Sequence, residues 1–311
     1  MQHPRQDRTP TYEGRRMPRP HEELVDQGLG FDVGTLLSRR RLLAVLGLGA
    51  AAGGVAACGA GGSTSSSASS ASSAGSSAGE IPDETAGPYP GDGSNGPDVL
   101  EESGIVRSDI RSSFGDSTGT ADGVPMTLEL TIRDLAAGGS PFAGVAVYVW
   151  HCDSQGRYSM YSDGVTDQNY LRGVQVADAS GKVRFSSIFP GCYDGRWPHI
   201  HFEVYPDEAG ISDSSNAIAT SQVALPQDVC EQVYAESGYD SSPGNLARLS
   251  LTSDNVFGDD GAASQLATAG GDVRNGFTVS LPVAIDTRTA PNGGSMGGGA
   301  EGGPGGPPPS N

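Results

Sequence analysis

Two histidines one residue apart, His199 and His201, are the most chemically pointed feature of this 311-residue sequence. After them Ile200, Phe202 and Val204 alternate with His201, Glu203 and Tyr205, the period-two pattern of a half-buried strand. On a strand, residues i and i+2 share a face. The two imidazoles therefore stand close together, as a pair of metal ligands would. Pro198 precedes the pair and marks where the strand begins. Tyr193 and Arg196 lie just upstream, on a turn opened by Pro190-Gly191, from which both could fold back toward the imidazoles. The chain has five histidines, and His3 and His21 fall in a leader that is expected to be removed. Of the three that remain, two are in this pair. His-x-His also occurs in strands that hold no metal, so the rest of the constellation decides the matter.

The elements that must position these residues are short. Alternating or β-rich runs predict strands at 126–134, 143–151, 157–162, 171–176, 182–185, 199–205, 217–225 and 277–285, with a weaker one at 104–109. Residues 226–236 are the one plausible helix. Short strands separated by Gly, Asp and Ser turns predict an all-β fold. The expected form is an antiparallel β-sandwich with long loops and at most one short helix.

Outside that region the composition changes. Residues 1–57 read as a signal peptide: a polar leader, then Arg39-Arg40-Arg41, then an apolar run from 42 to 57. That run of about 16 residues is short of the roughly 20 that a spanning helix needs. Paired arginines before an apolar segment resemble a twin-arginine export signal. Val55-Ala56-Ala57-Cys58 resembles a bacterial lipoprotein processing site, with Cys58 as the lipidated residue. Residues 58–80 are mostly Gly, Ser and Ala, the composition of a flexible tether. Residues 81–286 are the foldable domain, opened by a Pro-rich arm, and 287–311 form a Gly/Pro-rich tail expected to be disordered. The expected location is outside the cytoplasm, either lipid-anchored on the outer face of the cytoplasmic membrane or secreted. Membrane contact would then be made through the lipid alone.

Net charge is −18. Eight arginines and six carboxylates precede Cys58, so the remainder carries 11 basic and 31 acidic residues. Such a surface disfavours nucleic acid and anionic headgroups as partners. Four cysteines, Cys58, Cys152, Cys192 and Cys230, are too few for a disulfide scaffold, and no C-x-x-C occurs. Cys192 could pair with Cys230, or Cys152 could instead be the partner of either or stay buried and free.

Taken in order, Gly-Arg-Tyr at 156–158, Pro-Gly-Cys-Tyr at 190–193 and Arg-Trp-Pro-His-Ile-His at 196–201 closely resemble the intradiol ring-cleavage dioxygenases, especially their small secreted branch. Trp150-His151-Cys152-Asp153 and Leu171-Arg172-Gly173 extend the resemblance, which covers about 81–285. It implies a mononuclear non-haem Fe(III) held by Tyr158, Tyr193, His199 and His201. It implies Arg196 as the active-site arginine, Gln222 as a residue orienting the aromatic ring, and Tyr89 as part of the pocket wall. The implied reaction uses O2 to cleave a catechol-type ring between its hydroxylated carbons, giving a muconate-type diacid. The implied chemistry is coherent, because phenolates are hard, strongly donating anions that favour Fe(III) over Fe(II). Cys192, where this branch often has an aromatic residue, is a departure. Two other readings compete: a non-catalytic transthyretin-like binding module, and a copper or zinc protein using His199 and His201 with His151.

Overall fold

Residues 79–291 are described in this computed structural model, together with a short backbone pairing of β1 (Thr11–Tyr12) with β2 (Arg15–Arg16). The domain is a sandwich of two sheets. The first sheet runs β10 (Thr268–Asp272), β11 (Gly276–Ile285), β3 (Pro125–Asp134), β4 (Ser140–Pro141), with β7 (Lys182–Ile188) also paired to β3. The second runs β6 (Arg172–Val176), β5 (Ala146–Trp150), β8 (His199–Tyr205), β9 (Ala219–Ala224), all antiparallel.

Period-two alternation builds the first sheet. Met126, Leu128, Leu130 and Ile132 of β3 are buried, while the residues between them are half-exposed. They meet Val147, Val149, Ile200, Phe202 and Val204 from the second sheet in the main core. The second sheet reads differently, because every residue of β5 and β8 is buried. Its inner face fills the core. Its outer face carries Ala146, Tyr148, Trp150 and Tyr205 and is covered by loop residues that include Val99, Leu100 and Ile105. A sheet covered on both faces leaves room for buried polar chemistry on the covered outer side, and His201 projects there beside Trp150.

The all-β class holds, with differences from the sequence reading. β11 pairs with β3 in parallel, so the sheet is not antiparallel throughout. Among the described residues two short α-helices form instead of at most one: α1 (Gln227–Val233), inside the expected 226–236, and α2 (Ser242–Leu246). Five residues are too few to show a helical period, which is why α2 reads as loop. Residues 157–162 form turns rather than a strand. Their alternation is that of a coiled turn, closed by Tyr158 N–H donating to Ser162 Oγ at 2.8 Å and Ser162 N–H to the Tyr158 carbonyl at 2.9 Å. Residues 104–109 contribute only isolated bridges, Val106 to Val174 and Asp109 to Ser186. β10, with Gly270 and Gly271, has too little β character to be seen in advance.

Among the described residues, no helix is long and apolar enough to cross a membrane. Apart from the β1–β2 pairing, the expected signal peptide lies outside the described residues, as do Cys58, the tether up to residue 78 and the tail from 292. Where the described chain meets those ends, Glu80 accepts hydrogen bonds from Asp286 N–H and Thr289 Oγ.

Candidate metal centre

β8 places both histidines on one face, as the spacing requires. His199 Nδ1 lies 2.5 Å from the Trp197 carbonyl, so Nδ1 carries the proton and the Nε2 lone pair faces the site. His201 is opposite Trp150 on β5 and Gln222 on β9. The Trp150 indole stacks on its ring at 4.9 Å with planes 6° apart, which fixes the ring's tilt. The turn at 157–162 delivers Tyr158, and the segment after Pro190-Gly191 delivers Tyr193. These two segments meet at Gly156, whose φ is +81° and where a Cβ would sit 3.1 Å from the Cβ of Tyr193. A side chain there would be strained and would crowd that tyrosine.

Four donor atoms converge as a result. Tyr158 Oη is 3.4 Å from Tyr193 Oη, which is 3.2 Å from His199 Nε2, which is 3.0 Å from His201 Nε2. Tyr158, His199 and His201 are buried, and Tyr193 is partly exposed. Burial pushes both imidazoles well below their ordinary range, and Arg196 adds to the effect. Both are therefore neutral at physiological pH, with lone pairs to offer. Burial pushes both phenols up, so no group of the protein ionises them. A cation at their meeting point would. Among the described residues, no three of His, Cys, Asp and Glu are grouped to hold a metal, so the tyrosines are what complete a ligand set. Two phenols and two neutral imidazoles without a carboxylate form a donor set that fits a ferric ion.

The remaining site residues are held by a second layer. Arg196 Nε donates to Asp254 Oδ2 at 3.0 Å, and its NH2 donates to Gln222 Oε1 at 2.7 Å. The Arg196 guanidinium carbon lies 5.8 Å from the Phe257 ring centroid. Asp254 Oδ2 also accepts from Trp197 N–H at 2.7 Å, so one carboxylate fixes both Arg196 and the residue beside it. Gln222 Nε2 donates to the Thr85 carbonyl at 2.9 Å. Gln222 thus ties Arg196 to the N-terminal arm and sits beside His201 in register.

The arm runs along β9 and over the donors. Ile81 N–H donates to the Ala284 carbonyl, Glu84 N–H to the Thr220 carbonyl, and Ser221 Oγ to the Pro82 carbonyl. At Gly87, φ is +73° and a Cβ would lie 3.2 Å from His201 Cε1, so the backbone itself covers that imidazole. The Tyr89 ring packs 4.9 Å from Tyr158 and 5.2 Å from Tyr161. Arg172, 1% exposed, pins this arrangement. Its five N–H groups go to Ser159 Oγ, the Ser159 carbonyl, Tyr148 Oη, the Tyr89 carbonyl and the Pro90 carbonyl.

Each residue singled out in the sequence and described in the structure, namely Tyr89, Tyr158, Tyr193, Arg196, His199, His201 and Gln222, is brought to this one place. His151 is not. Its Nδ1 lies 2.7 Å from the Cys152 carbonyl and its Nε2 2.7 Å from Ser187 Oγ, so both nitrogens are engaged away from the pair. Cys152, Cys192 and Cys230 are all buried free thiols, and none of the pairings considered from the sequence is formed. Asp254 and Arg172 are the residues the sequence reading did not assign. An arginine inside the apolar stretch 171–174 is a signal that could have marked Arg172, whereas nothing in local spacing marks Asp254.

Residues 95–209, which include Tyr158, Tyr193, Arg196, His199 and His201, match a family model described as Dioxygenase. The chain is 40% identical over 72 residues to a catechol 1,2-dioxygenase of Pseudomonas sp. (strain EST1001), covering 23% of each chain. It is 37% identical over 92 residues to the protocatechuate 3,4-dioxygenase beta chain of Burkholderia cepacia, covering 26% of this chain and 39% of that one. The matches span less than half the length of these relatives. An intradiol ring-cleavage dioxygenase from Tetranychus urticae has the same fold, with a TM-score of 0.55 at 24% identity over 69% of this chain and 98% of that one. The family-model match runs through the donor cluster itself, so the similarity to these dioxygenases includes the residues that form the site.

Proposed function

We propose that this protein is a non-haem Fe(III) intradiol dioxygenase that uses O2 to cleave catechol-type rings between the hydroxylated carbons, giving muconate-type diacids. The observation that carries the reading is the convergence of Tyr158, Tyr193, His199 and His201 through successive separations of 3.0–3.4 Å. These four residues would hold the metal. A ferric ion bound there would supply a centre that takes both catechol oxygens and opens the ring to attack by O2.

The protein's own groups divide the remaining work. Tyr193 is the more exposed of the two phenols, so it is the donor that gives way to substrate, and its Oη is placed to take a catechol proton. Tyr158, buried beneath Tyr89, stays in place. Arg196 is held beside Tyr193 by Asp254 and Gln222, and its fixed positive charge favours negative charge building up on the bound ring. The arm from Pro82 to Pro90 excludes water from the His201 side. The rival copper or zinc reading loses its third ligand, because both nitrogens of His151 are engaged elsewhere.

The test is oxygen uptake by the purified, iron-loaded chain across a panel of catechols, with mass analysis of the products. Consumption of one O2 per ring with both oxygen atoms in an acyclic diacid is expected. Absence of turnover on every catechol, with iron bound, would overturn the assignment. The reading includes a location outside the cytoplasm with a lipid on Cys58, supported by the sequence from Arg39 to Cys58. Cys58→Ser should release the protein from the membrane fraction or leave it unprocessed. Unchanged fractionation would count against the anchor.

A further inference from the structure

Two polar atoms beside the donor cluster stand out because nothing holds them. Among the described residues, His201 Nδ1 and Trp150 Nε1 are buried and meet no hydrogen-bond partner. A histidine that binds a metal through Nε2 carries its proton on Nδ1, and that N–H is almost always held by an acceptor. His199 follows the rule, with Nδ1 2.5 Å from the Trp197 carbonyl. His201 does not, so its ring plane must be fixed by something other than a hydrogen bond.

What it has instead is a stack of rings. His201 is opposite Trp150 in the register of β8 on β5, with centroids 4.9 Å and planes 6° apart. Trp150 stacks in turn with Tyr148, two residues earlier on the same face of β5, at 4.9 Å and 22°. Near-parallel rings at this spacing attract each other. All three side chains are buried. The far end of the stack is pinned, because Tyr148 Oη donates to the Pro90 carbonyl at 2.7 Å and accepts from Arg172 at 3.1 Å. The Gly87 backbone closes over His201 from the arm. The indole N–H bears the cost of burial without an acceptor, which a phenylalanine would avoid. Trp150 is thus held by its flat face and not by its N–H.

Resting on the ferric-site assignment above, we propose that Trp150 is the positioning residue for His201: its indole face, backed by Tyr148, sets the imidazole plane that aims Nε2 at the metal, in place of the missing hydrogen bond at Nδ1. The two histidine donors are therefore unlike. His199 is oriented by an acceptor that also raises its donor strength. His201 is oriented by packing and gains no such strength, so its hold on the metal depends on the stack.

The test compares Trp150→Met, which fills much of the space without a flat face, with Trp150→Phe, which keeps one. Ferric affinity is read by competition with a chelator, and the symmetry of the site by EPR of the high-spin ferric ion. Trp150→Met should weaken iron binding about 10–100-fold and spread the EPR signal, and Trp150→Phe should restore both toward wild type. Leu100→Ala truncates a residue of the same apolar cluster outside the stack, so it should lower the Tm and leave the EPR signal unchanged. Met and Phe variants alike in iron affinity and EPR, or a Leu100→Ala signal spread like that of Trp150→Met, would overturn the proposal. If Trp150→Met does not fold, NMR of the wild-type chain loaded with Ga(III), a diamagnetic stand-in for Fe(III), decides. The His199 Nδ1 proton should then lie far downfield and the His201 Nδ1 proton should not. A downfield His201 proton would show that it has an acceptor and would remove the need for the stack. A wild-type chain that takes up no iron would refute the metal assignment. The upfield shift of the His201 ring protons by the indole, read in the metal-free chain, still decides the stack: its presence supports the proposal and its absence overturns it.

Discussion

At the scale of the residue, the account gives Tyr193 and Arg196 separate roles that two substitutions distinguish. Tyr193→Phe keeps the ring but removes the oxygen that lies 3.2 Å from His199 Nε2. Iron should be largely retained through the other three donors, the colour should shift, and turnover should fall because the catechol proton loses its acceptor. Arg196→Ala removes no donor. Iron and colour should persist and the catechol complex should still form, while turnover drops about 10²–10³-fold, or ~2.7–4 kcal/mol, as for loss of one preorganised electrostatic group. Stopped-flow spectra with iron analysis check both. Near-normal turnover in Arg196→Ala would remove it from the mechanism, and iron loss would make it a support for the turn that presents Tyr193. The donors were legible because histidines on a strand announce their shared face, and because the Tyr and Arg motifs occur in a spaced order that resembles a family. Asp254 was not legible. It reaches Arg196 from 58 residues away through a loop, and a contact set by loop closure leaves no period in the sequence.

At the scale of the element, the arm and β6 are joined through one buried guanidinium. Arg172→Met leaves the carbonyls of Tyr89, Pro90 and Ser159 without their donor. It should cost ~3 kcal/mol or more and loosen the arm before the rest of the domain. Arg172→Lys should not rescue it, since an ammonium cannot span five acceptors in one plane. Hydrogen exchange should show faster exchange at Glu84 N–H than at β5 amides in these variants, and unchanged protection of the arm would contradict this role. Strands were readable wherever one face was buried, as in β3, where alternation survives intact. The misread run at 157–162 shows the limit of that logic. Tyr158, Met160 and Ser162 alternate in type, but the Ser162 hydroxyl and Met160 at a φ of 72° close the backbone into a turn. The two helices and the parallel β11–β3 pairing depend on where the chain returns in space, which local pattern does not encode.

At the scale of the whole molecule, buried carboxyls give the metal-free chain a definite dependence on pH. Burial pushes Glu203 up from 4.5 to about 8, and Asp92 adds to it. Burial, with Asp259, pushes Glu84 up to about 7. A carboxyl whose folded pKa is raised holds its proton longer in the folded state. Its contribution is therefore fully present below about 4.5 and is lost as pH rises through the folded value. The buried histidines act in the opposite sense, but only below their unfolded value of 6.5. Between about 6.5 and 8 the glutamates act alone, so the Tm of chelator-treated protein should fall as pH rises. Glu203→Gln should flatten that slope, since the amide oxygen can still accept from Tyr205 Oη. A Tm that rises across the same window would contradict this. The central claim, that two phenols and two imidazoles from three separate segments make one ferric site, is tested most directly by iron stoichiometry and the visible spectrum recorded on the same purified sample. The account predicts about one iron per chain and a red-brown phenolate-to-iron band that shifts when catechol is added. A protein that stays colourless after reconstitution with iron, or that holds zinc in its place, would contradict it.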